Sequence, residues 1–192
     1  AKAGADLVLI ETMSDSYEAK AAVLAAKENC DLPVLVTLIF DEKGKLLTGG
    51  TVDSTVAMLE GLRVDALGVN CGLGPKQMHP IIERLTQISS LPIIVNPNAG
   101  LPRSENGKTV FDIAPAEFSD LMEEIAGMGV QALGGCCGTT PEHLRLTIEK
   151  CRKVPFRPPV AKRRTVVSSF SQAVEIGPKP VIIGERINPT GK

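Results

Sequence analysis

The chain is poor in aromatic residues. Of its 192 residues none is Trp, one is Tyr and five are Phe. Single-stranded nucleic acids are commonly bound by stacking on such rings, so the composition excludes stacking recognition as a main function. The formal net charge is −1, so no overall field draws the protein toward nucleic acid or an anionic membrane. We therefore predict neither nucleic acid nor membrane as a partner.

Long hydrophobic runs are also missing. Charged residues, Gly or Pro interrupt every apolar stretch well before the ~20 residues that a membrane-spanning helix needs. Ala1 to Asp6 contain neither the basic nor the apolar region of a signal peptide, which predicts a soluble, cytoplasmic protein. Because the chain lacks an initial Met and enters an apolar run almost at once, we expect it to be part of a longer polypeptide.

What is present is a regular alternation of apolar runs and longer amphipathic segments. The runs predict buried strands at Leu7–Ile10, Val34–Phe40, Ala66–Asn70, Ile93–Asn96 and Val130–Leu133. The segments predict helices near Ser16–Glu28, Val52–Leu62, Gln77–Ile88, Pro115–Ala126 and Pro141–Cys151. Five successive βα units indicate an α/β fold with a parallel sheet. Periodicity leaves two architectures open, a doubly wound five-stranded sheet or part of an eight-stranded barrel.

The composition changes after Cys151. The segment Arg152–Arg164 holds six basic residues, three prolines and no acid, which predicts a solvated linker rather than a helix or strand. Beyond it, Thr165–Phe170 and Ala173–Ile176 are strand-like, and Val181–Ile183 predicts the start of another buried strand. We expect three parts: a domain over residues 1–151, a linker over 152–164, and a connector with the start of a second domain over 165–192.

Five cysteines against two histidines mean that a transition-metal site in this chain would be rich in thiolate. Cys71 and the pair Cys136-Cys137 follow predicted strands, at the sheet edge where parallel α/β folds build their sites. Burial as apolar thiols is the alternative, and we take it for Cys30 and Cys151. For the other three, the flanking glycines favour a metal site, because they weaken a strand end unless a ligand or a close backbone approach requires them.

Three thiolates around zinc leave the fourth tetrahedral position open, which is typical of catalytic sites. Such a site carries a formal charge of −1, so it activates water poorly but can hold a substrate thiol as a thiolate. The excess negative charge keeps that sulfur nucleophilic toward an electrophilic carbon. Alkyl transfer to a thiol is therefore the predicted reaction, with no catalytic side chain needed beyond the metal-bound thiolate.

Three motifs together resemble the homocysteine S-methyltransferase family: GVNC at Gly68–Cys71, NPNAGLP at Asn96–Pro102 and GGCCGTTPEH at Gly134–His143. The resemblance implies a (β/α)₈ barrel whose zinc cysteines follow strands six and eight, so the five units here correspond to about strands four to eight. It implies that Cys71, Cys136 and Cys137 bind zinc, and that the zinc binds the homocysteine sulfur. With three units missing, two parallel edges would be open, so we expect the isolated chain to be poorly stable or to associate.

Two further residues are candidates at this site. Glu11 lies in the sequence Leu9-Ile10-Glu11-Thr12, and the resemblance implies that its carboxylate binds the amino group of homocysteine; an exposed acid leading into a helix is the alternative. Asn98 follows the strand between the two cysteine-bearing strands. We hypothesise that it fills the fourth zinc position when substrate is absent; a role in the loop turn is the alternative.

The two histidines are not needed as ligands. His143 lies three residues after Thr140, which we predict to be the N-cap of a helix that begins at Pro141, so we expect His143 to belong to that helix start. His79 is expected to be incidental.

The end of the chain carries a second resemblance. The sequence GERINPTG at Gly184–Gly191 is similar to the opening of the pterin-binding domain that follows this barrel in cobalamin-dependent members of the family. It implies that Glu185 and Asn188 bind pterin in the parent protein. It also implies methylcobalamin as the methyl donor, recharged from 5-methyltetrahydrofolate, with pterin- and cobalamin-binding modules in the same or an associated chain.

Two other functions stay open at this point. One is a cobalamin-independent homocysteine methyltransferase that uses betaine or a sulfonium donor, because the same barrel and cysteines would serve; the segment Gly184–Gly191 argues against it. The other is a structural or redox-sensing zinc module, in which the three cysteines only hold the sheet end or respond to oxidants.

Overall fold

The computed structural model of the chain describes residues 1–184. Its elements in chain order are β1 (Val8–Met13), α1 (Ser16–Asn29), β2 (Val34–Leu38), α2 (Val52–Gly61), β3 (Ala66–Asn70), α3 (Pro75–Ile88), β4 (Ile93–Asn96), β5 (Arg103–Glu105), β6 (Lys108–Val110), α4 (Pro115–Gly127), β7 (Ala132–Leu133), α5 (Pro141–Cys151), β8 (Thr165–Ser168) and β9 (Ala173–Ile176). The predicted α/β class and the five βα units are confirmed. No helix among residues 1–184 combines the length and apolarity that crossing a bilayer requires.

The main sheet has five parallel strands in the order β1-β2-β3-β4-β7. Each pair of neighbouring strands in this order is parallel, so all five carboxyl ends meet at one edge. Helices α2 to α4 cover the sheet with buried side chains such as Leu59, Ile82 and Phe118. The arrangement places the segments that follow β1, β3, β4 and β7 along a single rim.

The prediction that all five strands are buried was wrong for the two outer ones. Strands β2, β3 and most of β4 are buried, but Leu7 and Leu9 beside and within β1 are each 43% exposed, and Ala132 of β7 is exposed. The physical reason is position: within residues 1–184, no further strand pairs with the outer side of β1 or β7. Apolar runs alone do not distinguish a central strand from an edge strand.

The glycine at position 68 lets β3 approach β4 closely. A Cβ atom on Gly68 would lie 1.8 Å from the carbonyl oxygen of Ile94, far inside van der Waals contact. No other residue fits there without moving one strand. The first residue of the GVNC motif therefore serves the packing of the sheet that positions Cys71.

The segment Arg152–Arg164 contains no helix or strand, as predicted, but it is docked rather than free. The side chain of Gln131 donates a hydrogen bond from Nε2 to the carbonyl oxygen of Arg157 (2.9 Å). The backbone N–H of Lys162 donates to Oγ of Ser90 (3.0 Å). Since Ser90 and Gln131 precede β4 and β7, the segment crosses the amino end of the sheet.

Strands β8 and β9 form an antiparallel hairpin that packs on α2. Its tip residue Phe170 stacks on Tyr17 of α1, with ring centroids 5.2 Å apart, and accepts a hydrogen bond at its carbonyl oxygen from Oγ of Ser54 (3.4 Å). The predicted strand at Val181–Ile183 was wrong: these residues are exposed and form no strand, because no described segment pairs with them. The predicted pterin-site residues Glu185 and Asn188 lie outside the described residues.

Candidate metal centre

Three cysteine sulfurs meet at the carboxyl edge of the sheet. Cys71 directly follows β3, and Cys136 and Cys137 come shortly after β7, with β4 between them. Sγ of Cys71 lies 3.7 Å from Sγ of Cys137, and Sγ of Cys136 lies 4.0 Å from Sγ of Cys137. All three sulfurs lie within 4.8 Å of one another. The structure thus brings together the three cysteines that the sequence analysis selected.

The spacing of the sulfurs fits zinc. Zinc–sulfur bonds of about 2.3 Å in a tetrahedron place neighbouring sulfurs about 3.8 Å apart. The observed separations of 3.7 and 4.0 Å lie on either side of that value. The donor set also fits, because thiolates favour zinc over hard cations such as Mg²⁺. Two of the three sulfur–sulfur separations therefore match those of a zinc–thiolate site.

Close contacts and unusual backbone conformations shape the chain around the cysteines. Cys71 has φ 60°, in the left-handed region that non-glycine residues rarely adopt. Gly138 has φ +80°, and a Cβ there would lie 2.4 Å from the ring of Phe111. A Cβ on Gly134 would lie 2.5 Å from Oδ1 of Asn96. The GGCCG segment is thus shaped by packing on both sides of the cysteine pair, in addition to backbone bending.

Burial and mutual contact raise the pKa values of the cluster. Burial, and then the hydrogen bond with Cys71, raise the pKa of the Cys136 thiol to about 12. The hydrogen bond with Cys71 and burial also raise the pKa of Cys137. Three neighbouring thiolates would repel one another, so a divalent cation bound among them would be needed to keep all three deprotonated at neutral pH.

Asn98 lies beside the cysteine pair. It is 3% exposed, and its Oδ1 accepts a hydrogen bond from the backbone N–H of Cys137 (3.0 Å). The backbone adds a second link, because the N–H of Ala99 donates to the carbonyl oxygen of Cys137 (2.9 Å). The loop after β4 is thereby fastened to the loop after β7. The role of Asn98 as a fourth zinc ligand stays a prediction.

Glu11 lies in β1 at an irregularity in its pairing with β2. Ile10 pairs with Val36 and Met13 pairs with Leu38, so β1 has one more residue than β2 between these two points. This bulge contains Glu11 and Thr12, and Thr12 has φ 62°. The Glu11 carboxylate is exposed, and within residues 1–184 it forms no hydrogen bond or ion pair. Bulges commonly re-aim side chains next to active sites.

Asn70, the last residue of β3, also belongs to the site, although the sequence motifs did not indicate it. It is fully buried, and its Oδ1 accepts a hydrogen bond from the N–H of Thr12 (3.0 Å). Its Nδ2 donates to Oγ1 of Thr12 (2.7 Å) and lies 4.0 Å from Sγ of Cys136. A polar amide at the end of a wholly apolar strand was the available signal, because a buried amide must find partners.

The remaining candidates lie apart from the cluster or serve the helices. His143 takes part in the capping box of α5 through Thr140, and its Nε2 lies 3.0 Å from the carbonyl oxygen of Ile113. His79 is exposed on α3. Cys30 at the end of α1 and Cys151 at the end of α5 lie apart from the cluster, but they are half-buried rather than buried as predicted, because each lies at a helix end.

The family model and the similar proteins described below agree with one another. The family model described as homocysteine S-methyltransferase matches residues 1–151. Across 98% of its length the chain is 34% identical to a methionine synthase of Mycobacterium leprae and 32% identical to one of Mycobacterium tuberculosis. The chain spans only 17% and 16% of the lengths of these two relatives.

Solved structures of the Escherichia coli homocysteine methyltransferase MmuM have a similar fold. The apo form superposes with a TM-score of 0.63 at 24% identity, over 78% of this chain and 51% of that one. The metallated form gives 0.62 at 26% identity, over 79% of this chain and 46% of that one. The fold found here is therefore that of a part of these larger proteins.

Proposed function

Because the chain belongs to the homocysteine S-methyltransferase family, we propose that it binds homocysteine as a zinc thiolate and that the substrate sulfur accepts a methyl group to give methionine. The observation that carries the proposal is the cluster of three cysteine sulfurs at zinc-like separations, 3.7 and 4.0 Å, on the carboxyl edge of the sheet. This is the edge at which parallel α/β enzymes build their sites.

The cysteines set the charge of the site. When bound, zinc would lower the pKa of the substrate thiol so that it is held as a thiolate at neutral pH. Cys71, Cys136 and Cys137 together contribute three negative charges against the two positive charges of the ion. The surplus keeps electron density on the substrate sulfur, and this favours attack on a methyl carbon.

Glu11 and Asn98 complete the proposed site. The exposed carboxylate of Glu11 is available to pair with the ammonium group of homocysteine, a charge-assisted contact that would orient the amino acid. Asn98 would provide the fourth zinc ligand in the absence of substrate. The hydrogen bond from the Cys137 backbone N–H to its amide oxygen supports this, because it holds that oxygen next to a zinc-binding cysteine. No further side chain is needed for proton transfer once the substrate is a thiolate.

Methylcobalamin is the methyl donor that we favour, with 5-methyltetrahydrofolate recharging it. Support comes from the segment Gly184–Gly191, whose sequence is similar to the opening of a pterin-binding domain, and from the methionine synthases, whose match covers 98% of the chain and so continues past residue 151. A betaine or sulfonium donor is the alternative. An assay of methionine formation from homocysteine, with methylcobalamin or a sulfonium compound as the methyl donor, separates the two possibilities.

We place the five strands as about strands four to eight of a (β/α)₈ barrel, followed by a linker and the start of a pterin-binding domain. The unpaired outer sides of β1 and β7 in residues 1–184 fit such an incomplete barrel. Glu185 and Asn188 would bind pterin there, and the protein would act in the cytoplasm. The coding sequence on both sides tests this: three βα units before Ala1 and pterin and cobalamin modules after Lys192 are expected.

X-ray absorption at the zinc edge tests the central proposal. The zinc-loaded protein should show three sulfur neighbours that rise to four when homocysteine is added. A sulfur count that homocysteine leaves unchanged would contradict the proposal and favour the structural or redox-sensing zinc module. Homoserine, which has a hydroxyl in place of the thiol, is the matched control ligand and should leave the sulfur count at three.

A further inference from the structure

Asn70 joins two parts of the proposed site that come from different strands. Its Oδ1 and Nδ2 both bind Thr12, one at the backbone N–H and one at Oγ1, so the amide holds Thr12 from two directions. The same Nδ2 lies 4.0 Å from Sγ of Cys136. Asn70 itself directly precedes Cys71 in the chain. One buried amide therefore contacts the β1 bulge and the cysteine cluster at once.

The bulge needs such a contact to keep its shape. Thr12 has φ 62°, a conformation that is unfavourable for a β-branched residue. Strand β1 is an edge strand in residues 1–184, so it has a pairing partner on one side only. If Thr12 relaxed to extended backbone, the alternation of side chains along β1 would shift and Glu11 would point elsewhere.

From this geometry we infer that Asn70 is a positioning residue: it fixes the Glu11 carboxylate relative to the three cysteine sulfurs. The inference rests on the proposed function, in which Glu11 binds the ammonium group and zinc binds the thiol of one substrate molecule. The distance between these two groups in the substrate is limited by its short carbon chain. By fixing the distance between Glu11 and the cysteines, Asn70 makes the site select thiols whose amino group lies at a matching distance from the sulfur.

The test compares two thiols that differ only in the amino group, homocysteine and 4-mercaptobutyrate. Binding to the cobalt(II)-substituted protein is measured through the sulfur-to-cobalt absorption band, which reports thiol binding without any turnover. The variants are Asn70→Ala, which removes all three contacts, and Thr12→Val, which removes only the hydroxyl contact. Asn29→Ala is the matched control, because among residues 1–184 that side chain forms a hydrogen bond only within α1, to the carbonyl oxygen of Ala25.

In Asn70→Ala the preference for homocysteine should fall by about tenfold, the size of one charge-assisted hydrogen bond, while one metal ion still binds. Thr12→Val should lower it by about threefold, since the backbone N–H contact remains. Asn29→Ala should leave it unchanged. Affinity for 4-mercaptobutyrate should stay the same in all three variants, which a general loss of structure would not allow.

Contrary results separate the two proposals. An unchanged preference in Asn70→Ala overturns the inference alone, and so does a loss of metal binding, which would make Asn70 a support of the metal site. An unaltered protein that binds both thiols equally well overturns both the role of Glu11 and the inference. If neither thiol changes the cobalt spectrum of the unaltered protein, the proposed function itself fails.

Discussion

The two ends of the sheet are held together in different ways. At the carboxyl end, side chains link segments from four strands: Asn70 at the end of β3 binds Thr12 in β1, and Asn98 after β4 binds the backbone of Cys137 after β7. At the amino end, the segment 152–164 is held through its own backbone, by Gln131 and Ser90. Residue identity should therefore matter greatly at the first end and little along the segment that crosses the second.

The largest effect is expected from Cys136→Ala at the carboxyl end. Loss of one of three thiolates leaves too few protein ligands for a stable zinc site, so stoichiometric zinc binding should be abolished. Metal content after dialysis, measured by mass spectrometry, checks this. Cys30→Ala is the control and should keep a full zinc equivalent. Full zinc in Cys136→Ala would refute the ligand assignment.

Gly138→Ala should have the next largest effect. The new methyl group would lie 2.4 Å from the Phe111 ring, at a residue with φ +80°. We expect the free energy of unfolding to fall by about 2–4 kcal/mol. Gly107→Ala is a matched control: Gly107 has φ +72°, but no atom of residues 1–184 lies within 4 Å of the new methyl group, so only backbone strain of about 1–2 kcal/mol is expected. If urea titrations showed the same loss of unfolding free energy in both variants, the Phe111 contact would be unimportant.

Phe170→Ala tests the attachment of the β8–β9 hairpin. Removing the ring that stacks on Tyr17 should weaken docking by about 1–2 kcal/mol and speed amide hydrogen exchange in residues 165–176. Lys162→Ala is the comparison along the amino end, where contact is made by the backbone N–H, and it should change stability by less than about 0.5 kcal/mol. A larger effect from Lys162→Ala would break the contrast between the two ends.

The smallest expected effect is on the pH dependence of stability. The hydrogen bond from Arg84 holds the pKa of Asp53 on α2 below its ordinary value, so this pair stabilises the fold at pH values above the unfolded pKa near 3.8. The contribution is lost as the pH falls through the lower folded value. Because both side chains are partly exposed, we expect less than about 1 kcal/mol. The loss of stability in Asp53→Asn relative to the unaltered protein, measured by unfolding, should be smaller at pH 3 than at pH 7.

Much of the fold was predictable because apolar period and helix starts are local properties. Thr140 and Pro141 begin α5 as expected, since capping depends on a few neighbouring residues. The meeting of Cys71 with Cys136 and Cys137 also followed, because the carboxyl ends of parallel strands share one edge. These predictions needed no knowledge of which strand lies outermost.

Other features depend on tertiary contacts that no local pattern reports. The exposure of Leu9 follows from the edge position of β1. The docking of residues 152–164 uses backbone groups, which every sequence has, so composition could not predict it. The β5–β6 hairpin was overlooked although Asn106-Gly107, both with positive φ, carries the usual signal of a tight turn.

The sulfurs of Cys71 and Cys137 touch although the residues lie 66 positions apart in the chain. They can meet only after β4 has taken its place between β3 and β7. Zinc capture would therefore come late in folding, after long-range strand pairing has been completed. In a refolding experiment, the appearance of metal-bound thiolate would report when the pairing of β3, β4 and β7 is complete.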